Sequence, residues 1–579
     1  MLQIIKYFKP YLLWLLVLVF FVAGQSYVNL TLPDYTARIV NEGVSRQDLG
    51  IIYSVGAEML LITLLGGLFT VSAGFLAAKI STGYARRLRE ATFTKVESFS
   101  LDEFNNFSSS SLITRATNDI QQLQNVLGIL MRMTFMAPLM GVGAVIKANQ
   151  LAPSMSWIIF YAIGFLIAVL LVLFVLAIPK FTVIQQLVDK LGLEIREMLV
   201  GVRVIRAYGK DSEVQEKFSE ANQESTRLNI FVARLISIVS PVMTLLMGLT
   251  GVAVVWVGAY LVDGGALDIG HIVALMQYIS QAIFSFFMLS IVFIMIPRAA
   301  VSVRRISEIL EVKPRIKDPE TSERLPDIVR GNLEFRDVSF SYEGSEQPIL
   351  NDISFVARPG ETTAIVGGTG SGKSTLLNLI PRLYDVTAGS VTLDGVDIRH
   401  ITQHELRKHI GYIPQKAALF SGTVKSNIAY GAGKAEEGEI EKAAAIAQAT
   451  EFIGELPQGF ENPIAQGGTN LSGGQKQRLS IARALAKKSP VILFDDSFSA
   501  LDYRTDAALR GALRKELKNS TIIIVAQRIS TIMNADNIIV LDNGKIVGQG
   551  RHEDLLKSCP VYQEIAASQL SAEELNIEK

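Results

Sequence analysis

Apolar residues follow two different patterns along the chain, and the change comes a little past its middle. In the first part, runs free of Asp, Glu, Lys and Arg cover Pro10–Pro33, Met59–Ala78, Ala148–Pro179, Leu235–Val262 and Ile269–Pro297. Each is long enough to cross a ~30 Å hydrocarbon layer as a helix. A sixth run, Met133–Ile146, is only 14 residues between Arg132 and Lys147. It becomes a span if it extends to about Pro153 with Lys147 snorkelling to the interface. Six membrane helices result. Polar stretches join the second span to the third (Lys79–Asn125) and the fourth to the fifth (Lys180–Arg234), yet segments such as Leu187–Leu199 keep apolar positions at helical spacing. They predict long helical arms, and a hairpin of ~50 helical residues projects on the order of 35–40 Å beyond the membrane. The tips, near Ser100–Ser109 and Arg206–Glu213, are natural docking points for a soluble domain.

The second pattern begins after Glu311–Pro326, a polar stretch carrying Pro314, Pro319 and Pro326 that reads as a linker. Leu333, Phe335, Val338 and Phe340 then alternate as in a strand. Strands follow at Thr362–Val366, up to Ile413, at Val491–Phe494 and at Thr521–Ala526, with helices from Lys373 and after Gln475. Strands alternating with helices predict an α/β domain with a largely parallel core sheet. The expected organisation is an α-helical membrane domain over 1–312, a linker over 313–330 and an α/β domain over 331–579.

Composition agrees with a membrane half joined to a soluble half. The chain has 579 residues, mean hydropathy +0.32 and only 19% charged residues, too apolar for an ordinary soluble protein. Lys+Arg and Asp+Glu balance at 55 each, so no global field points to nucleic acid. The single Cys559 excludes an internal disulfide framework. Basic residues, Lys6, Lys9, Lys79, Arg86, Arg87, Lys180, Arg298 and Arg304 among them, flank the span ends that share one side, whereas Glu42, Asp48, Asp263 and Asp268 mark the other. Positive charge inside places both termini in the cytoplasm. The first apolar run is too long for a signal core and lacks a small-x-small cleavage site, so it is expected to be retained.

The chemistry sits in the α/β part. Gly367–Gly368–Thr369–Gly370–Ser371–Gly372–Lys373–Ser374, followed by Thr375, matches G-x-x-x-x-G-K-[ST] between a strand and a helix. Glycines let backbone N–H groups close around phosphates, Lys373 meets the β/γ-phosphate charge and Ser374 can ligand Mg²⁺. Asp495 ends an apolar strand, where its carboxylate can hold Mg²⁺ through water. Leu471–Ser472–Gly473–Gly474–Gln475 opens a helix whose N-terminal N–H groups suit a phosphate.

With an aromatic residue (Tyr342) ahead of the phosphate loop, Gln415 in YIPQ, and Ser499–Ala500–Leu501–Asp502 after the Asp495 strand, these motifs fall in one order. The chain resembles a half-transporter of the ATP-binding cassette (ABC) exporter family over nearly its whole length. The resemblance implies ATP and Mg²⁺ as cofactors. It also implies that Tyr342 stacks on adenine (a sheet-edge tyrosine being the other reading) and that Gln415 ligands Mg²⁺ and touches the arms. The signature 471–475 would face ATP held by a second half-transporter, so two chains meet head to tail, with 499–502 as the D-loop.

Two positions depart from the family pattern. Asp496 stands where a Glu polarises the attacking water, and its side chain is one methylene shorter. A misplacement of about an ångström can cost on the order of a hundredfold in rate. Gln527, in VAQRIS, replaces a His expected at the γ-phosphate, and its amide cannot become cationic. Either change alone could be drift; together, at the catalytic positions, they read as a degenerate site. A heterodimer is then expected, with a partner carrying the intact Glu and His. ATP closes the dimer, the arms turn the cavity outward, and hydrolysis mainly at the partner's site resets it.

Substrate evidence is thin. Gln277, Gln281, Phe284 and Met288 share one face of the sixth helix, and Gln25 and Asn29 lie on the first. They could line an adaptable pocket or simply pack helices together. The expectation is export of amphipathic, drug-like compounds across the plasma membrane, with membrane lipid and a small-molecule substrate as the other partners. A lipid, peptide or siderophore transporter is the alternative, as is an ATP-sensing regulatory subunit. No peptidase or ligand-binding domain precedes Met1–Pro10, which weighs against peptide-processing exporters.

Overall fold

The computed structural model describes residues 2–433 and 436–570. Residues 571–579, read above as part of the α/β domain, lie outside the described residues, as does the side chain of Arg298. The chain divides into two compact units, Met1–Glu97 with Ser109–Val312 and Ser98–Ser108 with Lys313–Lys579.

The first unit is helical. Among the described residues, six helical stretches are long and apolar enough to cross a membrane: Lys9–Val44, Leu49–Glu97, Ser109–Leu151, Pro153–Ala207, Asp211–Asp263 and Ile269–Val292. The arms are continuations of the spans. Helices Leu49–Glu97, Ser156–Ala207 and Asp211–Asp263 contain 49, 52 and 53 residues, roughly 75–80 Å each. The second arm turns over at Tyr208–Lys210, where Gly209 takes φ +63°, a conformation that costs a residue without Cβ nothing. Outward apolar side chains such as Leu13, Leu64, Val175 and Trp256 are exposed along the spans, as a surface facing lipid requires.

The third span ends at Leu151 before Pro153, as expected, and its Lys147 has a partner that the sequence did not show. Its ammonium lies 2.7 Å from Asp34 Oδ2 on the first span, and the Tyr278 hydroxyl of the sixth donates to Asp34 Oδ1 at 2.5 Å. A cation within a span is cheaper beside a carboxylate than alone, and the partner lies too far away in sequence for a local reading to find it. Gln281 donates from Nε2 to the Asn29 carbonyl at 3.0 Å, so this glutamine makes a helix-packing contact, while Phe284 on the same face stays exposed.

Among the described residues the second unit holds two larger sheets and a two-stranded one. The larger runs in the order β12-β11-β3-β10-β9-β6 and the smaller β2-β1-β4-β5. In chain order the strands are β1 (Leu333–Phe340), β2 (Leu350–Ala357), β3 (Thr362–Gly367), β4 (Ala388–Leu393), β5 (Val396–Asp397) and β6 (Ile410–Ile413). They continue with β7 (Gly422–Thr423), β8 (Pro463–Ile464), β9 (Val491–Asp495), β10 (Thr521–Val525), β11 (Asn537–Asp542) and β12 (Lys545–Gly550); β7 and β8 pair only with each other. β11, β3, β10, β9 and β6 are parallel, with β12 antiparallel at one edge. These parallel strands are buried on both faces, which is why Val491–Asp495 and Thr521–Val525 are continuous apolar runs rather than alternating ones. β1 explains its own irregular spacing. Leu333 and Phe335 point inward, the register slips between Phe335 and Val338, and Val338 and Phe340 point inward again. The extra residue is accommodated by Asp337 at φ +49°, a bulge that re-aims the second half of the strand.

The polar stretch read as a linker is laid along the second unit by its backbone. Lys317 offers its carbonyl to Arg382, Asp318 caps the N–H of Gln403, and Glu323 N–H reaches the His400 carbonyl. Asp394 accepts from the N–H groups of Arg330, Gly331 and Asn332. Pro314, Pro319 and Pro326 lie on irregular backbone, and composition said nothing of where its hydrogen bonds go.

Candidate nucleotide site

Parallel strands bring their C-terminal ends to one edge of a sheet, and the neighbours β3, β10, β9 and β6 end there in Gly367, Val525, Asp495 and Ile413. The loops that follow carry Lys373, Gln527, Asp496 and Gln415. This edge is where open α/β sheets bind ligands.

The phosphate loop leaves β3 at Gly367, whose Cα is so close to the Leu541 carbonyl that a Cβ would sit 2.1 Å from it. Gly368, Thr369 and Gly370 are exposed at the turn, Ser371 is buried, and Gly372 at φ +98° caps helix Lys373–Leu379. The Lys373 ammonium donates to the carbonyls of Gly367 (2.9 Å) and Gly368 (2.6 Å), which holds it over the loop. Burial pushes it below the ordinary lysine value against the pull of Asp496 and Asp495.

The two adjacent aspartates have different neighbours. Ser374 Oγ donates to Asp495 Oδ1 at 2.9 Å. Burial raises the Asp495 carboxyl, while the hydroxyls of Ser374 and Tyr412 and the Lys373 charge lower it. Asp496 follows at φ +45°, its N–H on the Val525 carbonyl at 2.9 Å. Its Oδ2 accepts from two amides, Gln415 Nε2 at 3.2 Å and Gln527 Nε2 at 2.9 Å. Burial again raises this carboxyl, and the Gln415 amide is the largest opposing cause. An exposed hydroxyl beside a buried carboxylate, as at Ser374 and Asp495, suits a hard cation such as Mg²⁺ that arrives from the open side of the loop. Gln415, the third residue expected at the metal, directs its amide nitrogen to Asp496.

The signature makes its contacts elsewhere. Leu471 is buried in the core. Ser472 and Gln475 form a reciprocal cap on helix Gly473–Ala486, N–H of Ser472 to Gln475 Oε1 at 2.9 Å and N–H of Gln475 to Ser472 Oγ at 3.3 Å. A Cβ on Gly474 would lie 3.3 Å from the Ala500 carbonyl, so the signature backs onto the D-loop. There Ser499 donates to the Asp496 carbonyl (2.8 Å), Leu501 is buried, and Asp502 caps helix Tyr503–Glu516 through the Thr505 N–H (2.9 Å). Tyr342 is partly buried, its hydroxyl 3.0 Å from Thr375 Oγ1.

The family description "ABC transporter transmembrane region" matches residues 15–307, and "ABC transporter" matches 350–499, which encloses the phosphate loop, Gln415, the signature and both aspartates. The chain belongs to the ABC transporter family. It is 38% identical over 567 residues to an uncharacterized ABC transporter ATP-binding protein of Mycobacterium tuberculosis, with 97% of each covered. It is 36% identical over 569 residues to one of Bacillus subtilis, with 98% of each covered. An ATP-dependent lipid A-core flippase of Desulfotalea psychrophila is 34% identical over 502 residues, 86% of each. Among solved structures, a bacterial Atm1-family ABC exporter with ATP bound superposes with TM-score 0.78 at 24% identity, covering 97% of this chain and 98% of that one, which shows a shared fold. One transmembrane domain and one ABC ATPase domain make this ABC transporter a half-transporter of exporter architecture and a multi-pass membrane protein.

Sequence reasoning did not find Tyr412, Arg528 or Tyr384. Tyr412, whose hydroxyl donates to Asn378 Oδ1 at 3.2 Å, helps lower the Asp495 carboxyl, Arg528 adds positive charge beside Asp496, and Tyr384 stands edge-on to Tyr342. The first two lie within three residues of Gln415 and Gln527, so proximity in sequence was the available signal. Tyr384 had none.

Proposed function

We propose that this half-transporter exports amphipathic or hydrophobic, drug-like compounds across the plasma membrane, both termini cytoplasmic, as the degenerate-site half of a heterodimer. The observation that carries the reading is the paired amide contact to Asp496 Oδ2. The two amides oppose the rise that burial gives this carboxyl and occupy the oxygen that would receive a proton from water, and one methylene less keeps it further from the phosphate. Gln527, committed to Asp496, brings no cation to the γ-phosphate.

In this reading the loop 367–375 and Lys373 bind the phosphates, Tyr342 supports adenine, and Ser374, Asp495 and Gln415 would hold Mg²⁺, which neutralises phosphate charge when bound. Asp496 keeps Gln527 and Gln415 oriented instead of abstracting a proton. Ser472–Gln475, preformed by its cap, would present helix N–H groups to ATP on a partner that has the intact Glu and His. Closure on two ATP molecules would then be reset mainly from the partner's side.

A lipid amphiphile is the second reading for the substrate, supported by relatives named lipid A-core flippases. The test of the main reading disables each nucleotide site in turn in the pair. Transport that survives Lys373→Ala and stops with the partner's equivalent change supports the proposal; equal loss from both refutes it.

A further inference from the structure

Helix Leu101–Asn106, the tip of the first arm, belongs to the second unit and is fastened there at several points. Leu101 packs against the core that contains β1, β2 and helix Lys373–Leu379. Glu103 accepts from the Arg315 N–H at 3.0 Å and from the Ser100 N–H at 2.7 Å, which closes the cap of its own helix. Two bridges then lead away from the tip. The Arg315 guanidinium lies 3.5 Å from Asp102 on one side and 3.5 Å from Glu343 on the other. Asn105 Nδ2 donates to the Tyr384 hydroxyl at 3.4 Å, and the Tyr384 ring meets Tyr342 edge to face, centroids 5.3 Å apart at 85°.

Both bridges converge on the dipeptide Tyr342–Glu343. Tyr342 is held at its far end by Thr375, two residues after Lys373, and its ring lies between that anchor and Tyr384. Phe340 closes the other side at 4.9 Å from Tyr342 and 5.5 Å from Tyr384, which leaves the aromatic cluster little room to absorb a displacement locally. An exposed arginine between two carboxylates adds little stability; its placement matters because it joins the arm tip to the site.

We propose that Arg315 and Tyr384 are positioning residues that carry occupancy of the Tyr342 face by a nucleobase to the arm tip 101–106. This rests on the reading of Tyr342 as the adenine platform. The phosphate loop alone would then signal weakly to this tip, whereas a base on Tyr342 would signal strongly.

Amide hydrogen exchange of the full chain in lipid nanodiscs tests it, followed at 98–108 and at 367–375. Mg-ATP is expected to slow exchange in both segments, and inorganic tripolyphosphate mainly in 367–375. With Arg315→Gln and Tyr384→Phe combined, protection of 367–375 by Mg-ATP persists while the added protection of 98–108 falls about fivefold or more. Each single variant, conservative in shape, gives part of that loss and serves if the double variant folds poorly. Full protection of 98–108 in variants whose phosphate loop still responds would overturn the proposal, as would equal protection of the tip by tripolyphosphate. Failure of the platform reading shows separately, as unchanged ATP affinity in Tyr342→Ala.

Discussion

Asp495 and Asp496 are adjacent in sequence, leave the same strand and are both buried, yet they belong to two different halves of the site. Asp495 accepts from Ser374, a hydroxyl that could share a cation with it. Asp496 accepts at Oδ2 from two carboxamides, Gln415 and Gln527. The binding half is built as a phosphate and metal site requires; the other half has its would-be base occupied by neutral donors. In the degenerate-site reading proposed above, binding and hydrolysis are separable in one nucleotide domain, and a residue's neighbours decide which of the two it serves.

The contrast can be broken or sharpened by substitution. The largest effects are expected on the binding half and on rebuilding the other. Lys373→Ala removes a cation from the phosphate site and is expected to weaken ATP binding about a hundredfold, read by titration of a fluorescent ATP analogue. Asp496→Glu with Gln527→His is expected to raise ATP turnover on the order of a hundredfold. Asp496→Glu alone gains less, because Gln527 still ties the carboxylate. Tyr342→Ala follows, with a roughly three- to tenfold loss of ATP affinity if its ring stacks on adenine. Asp496→Asn is expected to change turnover by less than about twofold, since a group that abstracts no proton contributes nothing specific to the transition state.

The smallest effect concerns stability and pH. Burial raises the Asp495 carboxyl, so the folded chain keeps this proton at pH values where the unfolded chain has lost it. Its contribution to stability therefore grows as pH falls from the raised value toward the ordinary carboxylate range, and is unfavourable above it. Asp495→Asn removes that dependence and, without nucleotide, is expected to raise the unfolding midpoint at neutral pH by about a few degrees. Thermal unfolding across a pH series checks both.

Much of the architecture was legible because the solvent dictates it. Hydrocarbon admits only long apolar helices, so five spans could be counted from missing charges, and a parallel sheet buries both faces, so β9 and β10 announced themselves as apolar runs. The phosphate loop was legible because glycine at Gly367, Gly370 and Gly372 has few substitutes. Partners distant in sequence were not. Asp34 and Lys147 meet across 113 positions, and the Gln527–Asp496 bond joins side chains 31 positions apart. The strap after Glu311 looked free because composition reports side chains and its attachments are largely backbone. Tyr384 carried no motif at all; only the packing of Phe340, Tyr342 and Tyr384 gives it a place.

The central claim is that this chain's own site binds ATP and hydrolyses it poorly. Its most direct test is Mg²⁺-dependent ATP turnover of the purified chain in lipid, beside Asp496→Glu/Gln527→His and beside the chain paired with a half-transporter that carries the Glu and His. The account predicts saturable ATP binding with near-background turnover for the chain alone, and recovery in the double variant and in the pair. Ordinary exporter turnover by the unaltered chain alone would contradict it.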